Sequence, residues 1–496
     1  MKQTQLHCCG HVNRRVFLAD CGMGFTGLVL GAMLKRDGFG KEVTRSEGAP
    51  TGKPHFTPKV KSVIWIFMIG GVSHVECFDP KGALNHYAGK TIEETPYPDI
   101  INSPFVKKNV RGDDRALRKP KLFPMQVGYK KRGGSGIEIT DWWPHLGECV
   151  DDIALVRSMW TTDNDHGAQL QFHTGRHFLE GNFPTIGSWV HYGLGNLSEN
   201  LPQFVVLGHP VDACCGGIGA HGGNYLGPQH SGVQLSADPG NPLAYGSPAS
   251  NIYREEQERE FALLSDLNRL AGVEYPSDPV MQARIKSYEL AFRMQLSVPK
   301  VFRFEEENGT TQRLYGLDQE ETRPFGQLCL GARRLVEQGV RFVQVYHGGG
   351  GGGAGAWDAH SNLKKGHTKL CRQVDQPIAA LLQDLKQRGM LEETLVVWGT
   401  EFGRTPGSDS TNGPGDGRDH HPYGFSAWLA GGGIKKGVVH GATDELGYHA
   451  VEHRHYVTDL HATVLHQLGL DPHELEVPGR KRLEIDFGEP IREILA

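Results

Sequence analysis

From Val63 to Ile69 the chain reads Val-Ile-Trp-Ile-Phe-Met-Ile without a polar residue, and Gly70-Gly71 closes the run. A strand with one face in water alternates polar and apolar residues. One without alternation must be covered on both faces. Such a stretch belongs inside a parallel sheet with helices above and below. Similar runs recur at 153–159, 204–207, 340–347, 394–398 and 425–430. Between them, periodicity and composition predict helices over 253–270, 280–296, 325–338, 374–388 and 458–468, with Gly339 and Gly389 as C-terminal stops. A short helix is expected to begin at Asp141-Trp142-Trp143-Pro144 and run toward Val150. Strands alternating with helices make this an α/β chain, with a mainly parallel sheet covered on both faces. The domain proper is expected over 61–496, with residues 210–323 as an insertion.

Composition narrows the function classes. The formal net charge is -5 over 496 residues, and no basic stripe interleaves with aromatics, so nothing points to nucleic acid. Nine cysteines include no Cys-x-x-Cys, which removes thioredoxin-type and zinc-ribbon readings, and most read as buried free thiols. Near the start stands Asn13-Arg14-Arg15-Val16-Phe17-Leu18, followed by a mildly apolar stretch from Gly22 to Leu34. This resembles a twin-arginine export signal over residues 1–40, which predicts a periplasmic or otherwise extracytoplasmic protein. The stretch is too short for a stable membrane span. Residues 41–60 read as a polar linker.

Polar groups recur just after the strands, where α/β sheets bind their ligands. Ser73, Glu76 and Asp79 follow the first. Thr162 and His166 follow the second. Asp358 and His360 follow the strand ending at His347, across the run Gly348–Gly353. Glu401 and Arg404 follow Trp398, and Asp419, His420 and His421 precede the strand at Phe425. Oxygen and imidazole donors converging at one sheet edge suit a divalent ion such as zinc, calcium or magnesium. The glycine run satisfies Gly-x-Gly-x-x-Gly trivially and lacks the Gly-Lys-Ser/Thr of a P-loop. It is expected to be a mobile approach to the site. Glu452-His453-Arg454-His455 is not His-Glu-x-x-His and reads as a solvated loop or strand edge, and Asp459 and His461 take structural roles.

Several segments together carry a family resemblance: Gly-Gly-Val-Ser-His-Val-Glu-Cys-Phe-Asp-Pro-Lys from Gly70, Trp-Asp-Ala-His-Ser-Asn from Trp357, Leu-Val-Val-Trp-Gly-Thr-Glu-Phe-Gly-Arg-Thr-Pro from Leu395, Gly-Arg-Asp-His-His-Pro from Gly417, and Thr-Asp-Leu-His-Ala-Thr from Thr458. The chain resembles the domain-of-unknown-function 1501 family, which is similar to the alkaline phosphatase and sulfatase superfamily. The resemblance implies a three-layer, alkaline-phosphatase-like α/β/α fold and one or two divalent metals. It makes Asp358 and His360 the middle ligand pair, puts Glu401 where an Asp-His pair would stand, and takes a late ligand from Asp419, His420 or His421. Glu76 or Asp79 would serve from the first loop.

Departures accompany the likeness. Gly70 and Gly71 occupy the place of the usual first-strand aspartate, and Phe402 stands where a ligand histidine is common. Asp165 falls at the sulfatase nucleophile position, so a formylglycine cannot form there. The implied activity is hydrolysis of a phosphate or sulfate ester, with a small molecule or a glycan as substrate. Candidate catalytic groups are Ser73, Thr162, His166 and Arg404, with Arg176 as a second anion-binding arginine. The alternative is a non-catalytic descendant of the fold that binds an anionic glycan or a cell-surface partner.

Overall fold

The computed structural model describes residues 50–104, 121–238, 240–243, 279–351, 353–409 and 414–496, and a few positions between 259 and 267. The expected signal, residues 41–49 of the linker and most of the helix over 253–270 lie outside the described residues. The chain divides into two compact units, residues 48–253 with 287–496, and residues 1–47 with 254–286. In the latter, the described residues at 259–267 and 279–286 are helical.

The centre of the former is a nine-stranded sheet: β1 (Ser62–Met68), β2 (Ile153–Trp160), β3 (Phe204–Leu207), β4 (Val233–Leu235), β5 (Phe342–His347), β6 (Thr394–Thr400), β7 (Phe425–Gly431), β8 (Val438–His440) and β9 (His455–Tyr456). The spatial order is β8-β2-β7-β6-β1-β5-β3-β4, with β9 also paired to β2. β1 pairs in parallel with β5 and β6, so that Ile64 lies beside both Val343 and Val396. All strands run one way except β7, which is antiparallel to β6 and to β2.

The continuous apolar run of β1 follows from this position. Ile64, Ile66 and Met68 belong to one core, and Val63, Trp65, Phe67 and Ile69 to the other. Alternate side chains leave opposite faces of a strand, so two apolar layers need an unbroken apolar sequence. The first core is covered by Met294, Val298 and Val301 of α3 (Pro279–Val301), and by α4 (Arg323–Glu337) and α5 (Leu363–Gln387). The second is covered by α1 (Ala168–Thr174), α2 (Ile186–Leu194) and α6 (Val457–Gln467). The result is the expected three-layer α/β/α arrangement. Each fully buried side chain of this kind contributes about 1.5–3 kcal/mol.

Two local expectations change. α5 begins at Leu363, eleven residues before the expected start at Val374. Its interior Pro377 lacks an N–H to donate and reads as a boundary in sequence, yet burial of Leu370, Cys371, Val374 and Ile378 carries the helix through. The helix expected toward Val150 is instead two short 3₁₀ turns, Leu146–Glu148 and Val150–Asp152. The N–H groups of His145 and Leu146 donate to the Asp375 carboxylate of α5, both at 2.8 Å.

Candidate metal centre

The ends of β1, β5 and β6 meet through glycines. Gly70 has φ +124°, and a Cβ there would lie 2.5 Å from the backbone nitrogen of Asp358. A side chain at Gly355 would strike the Ile69 carbonyl at 2.4 Å. The segment carrying Trp357 and Asp358 therefore lies directly on the end of β1, with the Trp357 N–H donating to the Ile69 carbonyl at 3.1 Å. This is why no aspartate stands after the first strand: its space is filled by the backbone of Asp358. The glycine run is packed at its amino end, and a Cβ at Gly353 would meet nothing within 4 Å. A Cβ at Gly349 would meet the His209 carbonyl at 2.5 Å, whereas Gly351 faces open space.

Asp358 is the hub. Its Oδ1 lies 2.8 Å from Arg404 Nη2, 3.1 Å from His420 Nε2 and 3.2 Å from His360 Nε2. Its Oδ2 lies 3.3 Å from His166 Nε2. The Nε2 atoms of His360 and His420 are 3.0 Å apart. The other ring nitrogen of each is engaged: His360 Nδ1–H donates to Asp409 Oδ2 at 2.7 Å, and His420 Nδ1–H donates to the Asn164 carbonyl at 2.8 Å. Pinning both Nδ1 protons leaves both Nε2 atoms as bare lone pairs. Three lone-pair donors, two nitrogens and a carboxylate oxygen, thus converge with no proton between them. Two imidazoles bound to one ion at about 2.0–2.1 Å place their nitrogens roughly 3.0–3.4 Å apart, so the spacing fits a divalent cation. Asp419 Oδ1, 3.7 Å from His360 Nδ1, borders the group.

His166 sits differently. Its ring bridges Asp358 and Glu401, with Nδ1 3.0 Å from Glu401 Oε1. Burial would lower its pKa, but hydrogen bonds to Asp358 and Glu401 raise it to about 9. It is therefore an imidazolium at neutral pH. Burial would raise the Asp358 carboxyl, yet the hydrogen bond from His166 and the charge of Arg404 hold it well below the usual carboxylate range. Burial, with the charges of Arg404 and His166, lowers His420 to about 3, in keeping with a neutral donor. Glu401 is fully engaged. It accepts from the Gly70 N–H on both oxygens, at 3.0 and 2.9 Å, and from Gln169 Nε2 at 3.1 Å.

Of the residues singled out in the sequence, the structure brings together His166, Asp358, His360, Glu401, Arg404, Asp419 and His420. Others lie outside the cluster. The hydroxyl of buried Ser73 donates to Glu76, and Glu76 forms a buried ion pair with Arg418 at 2.6 Å. Asp79 pairs with Lys81 at 3.1 Å and Arg157 at 3.6 Å. Thr162 accepts from Gln171 Nε2 at 2.7 Å. His421 follows His420 on a short strand, so its ring leaves the opposite face and lies 3.0 Å from His449 Nδ1. Arg404 is wholly buried and donates to the Gly71, Gly70 and Arg418 carbonyls as well as to Asp358, which makes it a support for Asp358 rather than a free anion clamp. Arg176 is taken by Glu180 and Asp486. Asp409 and Gln169 were not singled out. Neither sits directly at a strand end, and Asp409 lies in a Gly- and Pro-rich loop.

Comparisons place the chain. The sequence profile of the family described as "Protein of unknown function (DUF1501)" matches residues 60–495. Comparison with curated proteins returns no match. Among solved structures, the chain is similar to the PsFucS1 sulfatase from Pseudoalteromonas sp., with 12% identity and a TM-score of 0.33 over 88% of this chain and 72% of that one. It is similar to the lipoteichoic acid synthase LtaP from Listeria monocytogenes, with 7% identity and a TM-score of 0.37 over 88% and 79%. It is also similar to the phosphonate monoester hydrolase SpPMH from Silicibacter pomeroyi, with 13% identity and a TM-score of 0.33 over 71% of each chain.

Proposed function

The chain belongs to the DUF1501 family, and we propose that it is a metal-dependent hydrolase of a phosphate or sulfate ester. One observation carries this reading: the bare Nε2 atoms of His360 and His420 meet Asp358 Oδ1 within 3.2 Å. These three residues would hold the ion. When bound, a divalent cation polarises a phosphoryl or sulfuryl oxygen and lowers the pKa of water. The remaining roles belong to the chain itself. Arg404 holds Asp358 in place from the buried side, and Asp409 fixes the tautomer of His360. His166 carries a proton beside the partly exposed edge of the cluster and can give it to a leaving oxygen. Neither Ser73 nor Thr162 faces the cluster, which favours water as the nucleophile.

That same placement supports a second reading, in which the site binds a metal and an anionic glycan or a cell-surface partner without turnover. One experiment separates them. Protein purified without chelator is expected to hold a divalent metal and to hydrolyse at least one member of a phosphate- and sulfate-ester panel. Asp358→Ala is expected to lose turnover and to hold one divalent ion fewer per chain. Metal without turnover across the panel selects the binding reading, and metal content unchanged in Asp358→Ala would sink both.

We propose further that the protein is exported, on the strength of Arg14 and Arg15. Replacing both with lysine is expected to leave the protein in the cytoplasm on cell fractionation, and unaltered export would refute this.

A further inference from the structure

A second group of metal-type donors lies at the outer edge of the sheet. His440 ends β8 and His455 begins β9. Both strands pair with the same edge of β2, at Val156 and at Met159. The two rings lean into the gap between them, with their Nε2 atoms 2.9 Å apart. Asp459, one turn into α6, accepts from His455 Nδ1–H at 3.2 Å. That bond leaves the His455 Nε2 lone pair facing His440. Glu493, in a 3₁₀ turn near the C-terminus, brings its Oε2 to 3.9 Å from His440 Nε2. The His453 ring lies tilted at 35° against His440, with ring centroids 5.0 Å apart, and does so from a left-handed backbone with φ +45° that is uncommon outside glycine. Its carbonyl is held there by the Ser158 hydroxyl at 2.6 Å.

We propose that His440, His455 and Glu493 form a second zinc site. Two imidazoles and one carboxylate are a common zinc donor set, and an imidazole oriented by a carboxylate is its usual support. The three residues come from two edge strands and the C-terminal turn. An ion here ties that turn to β8 and β9, so the site is structural. It uses none of the residues of the Asp358 cluster and stands or falls independently of the proposed activity.

The test uses the full chain, stripped with chelator, equilibrated with zinc chloride and desalted. His440→Ala and His455→Ala are each expected to carry one zinc fewer per chain than the parent. Added zinc is expected to raise the melting temperature of the parent more than that of either variant. Glu493 is largely exposed, with 54% of its side chain accessible, so Glu493→Gln keeps the fold whatever the histidine variants do. It is expected to weaken zinc binding at this site by roughly tenfold. Zinc content and titration equal to the parent in Glu493→Gln, or in folded His440→Ala and His455→Ala, would overturn the proposal.

Discussion

At the scale of single residues, the centre depends on which ring nitrogen bears the proton. His360 is a ligand-type imidazole because Asp409, 4% exposed, takes its Nδ1 proton. Asp409→Asn keeps the shape but can present an amide N–H to Nδ1, which favours the opposite tautomer and removes the lone pair at Nε2. We expect metal affinity to fall by about 10- to 100-fold, with the melting temperature of the metal-free protein little changed. A titration that matches the parent would show that Asp409 does not orient the ligand. Residue scale is also where the sequence was least readable. Asp358, His360 and His420 stand out because they flank strands. Glu76 and Asp79 stand out for the same reason, yet their carboxylates are taken by Arg418 and by Lys81 with Arg157. Nothing local to Glu76 says that Arg418, 342 residues on, will reach it.

At the scale of elements, strand direction decides what reaches the site. β7 runs against its neighbours, so its amino end lies level with the carboxyl ends of β6 and β2. Asp419 and His420 enter there from before a strand, whereas Asp358 and Glu401 enter after one. The apolar run at 425–430 identifies the strand but not its direction, because an unbroken apolar sequence fits either orientation between covered faces. Helix docking has a similar hidden determinant. Arg333 of α4 is 1% exposed and joins Glu307 at 2.5 Å and Asp384 of α5 at 3.0 Å. The Tyr315 hydroxyl also donates to Asp384, at 3.0 Å. Removing one partner of a buried ion group costs about 3–5 kcal/mol when the others are left uncompensated; here Arg334 still reaches Glu307 and Arg388 still reaches Asp384, which reduces the loss to about 2 kcal/mol. Arg333→Met is therefore expected to lower stability by that order in urea unfolding, with metal content retained. A loss below about 1 kcal/mol would show that the cluster does not hold α4 to α5.

At the scale of the whole molecule, the three layers were legible because burying both faces of a sheet demands unbroken apolar strands and amphipathic helices. What those layers do to the 25 histidines was not. His449 and His461 are buried and His347 is half-buried, and all three are held neutral, each with its pKa lowered to about 4 chiefly by burial. The unfolded chain binds these protons near pH 6.5, so it takes up more protons than the folded chain between about pH 6.5 and 4. Stability from these groups is full above pH 6.5 and is lost as pH falls through that window. Asp375 and Asp444 oppose this. Burial raises each to about 6, so they favour the fold below pH 4 and that contribution fades as pH rises through 6. At pH 5 each histidine costs about 2 kcal/mol relative to pH 7, while each aspartate returns about 1 to 1.5 kcal/mol. The loss from these histidines exceeds the gain from these aspartates. The urea midpoint of the metal-free protein is therefore expected to fall between pH 7 and pH 5. His461→Gln, which can still donate to the Phe172 carbonyl as His461 Nε2 does at 2.8 Å, is expected to flatten that slope. A midpoint that stays constant or rises on acidification would show that these imidazoles are not held neutral by the fold.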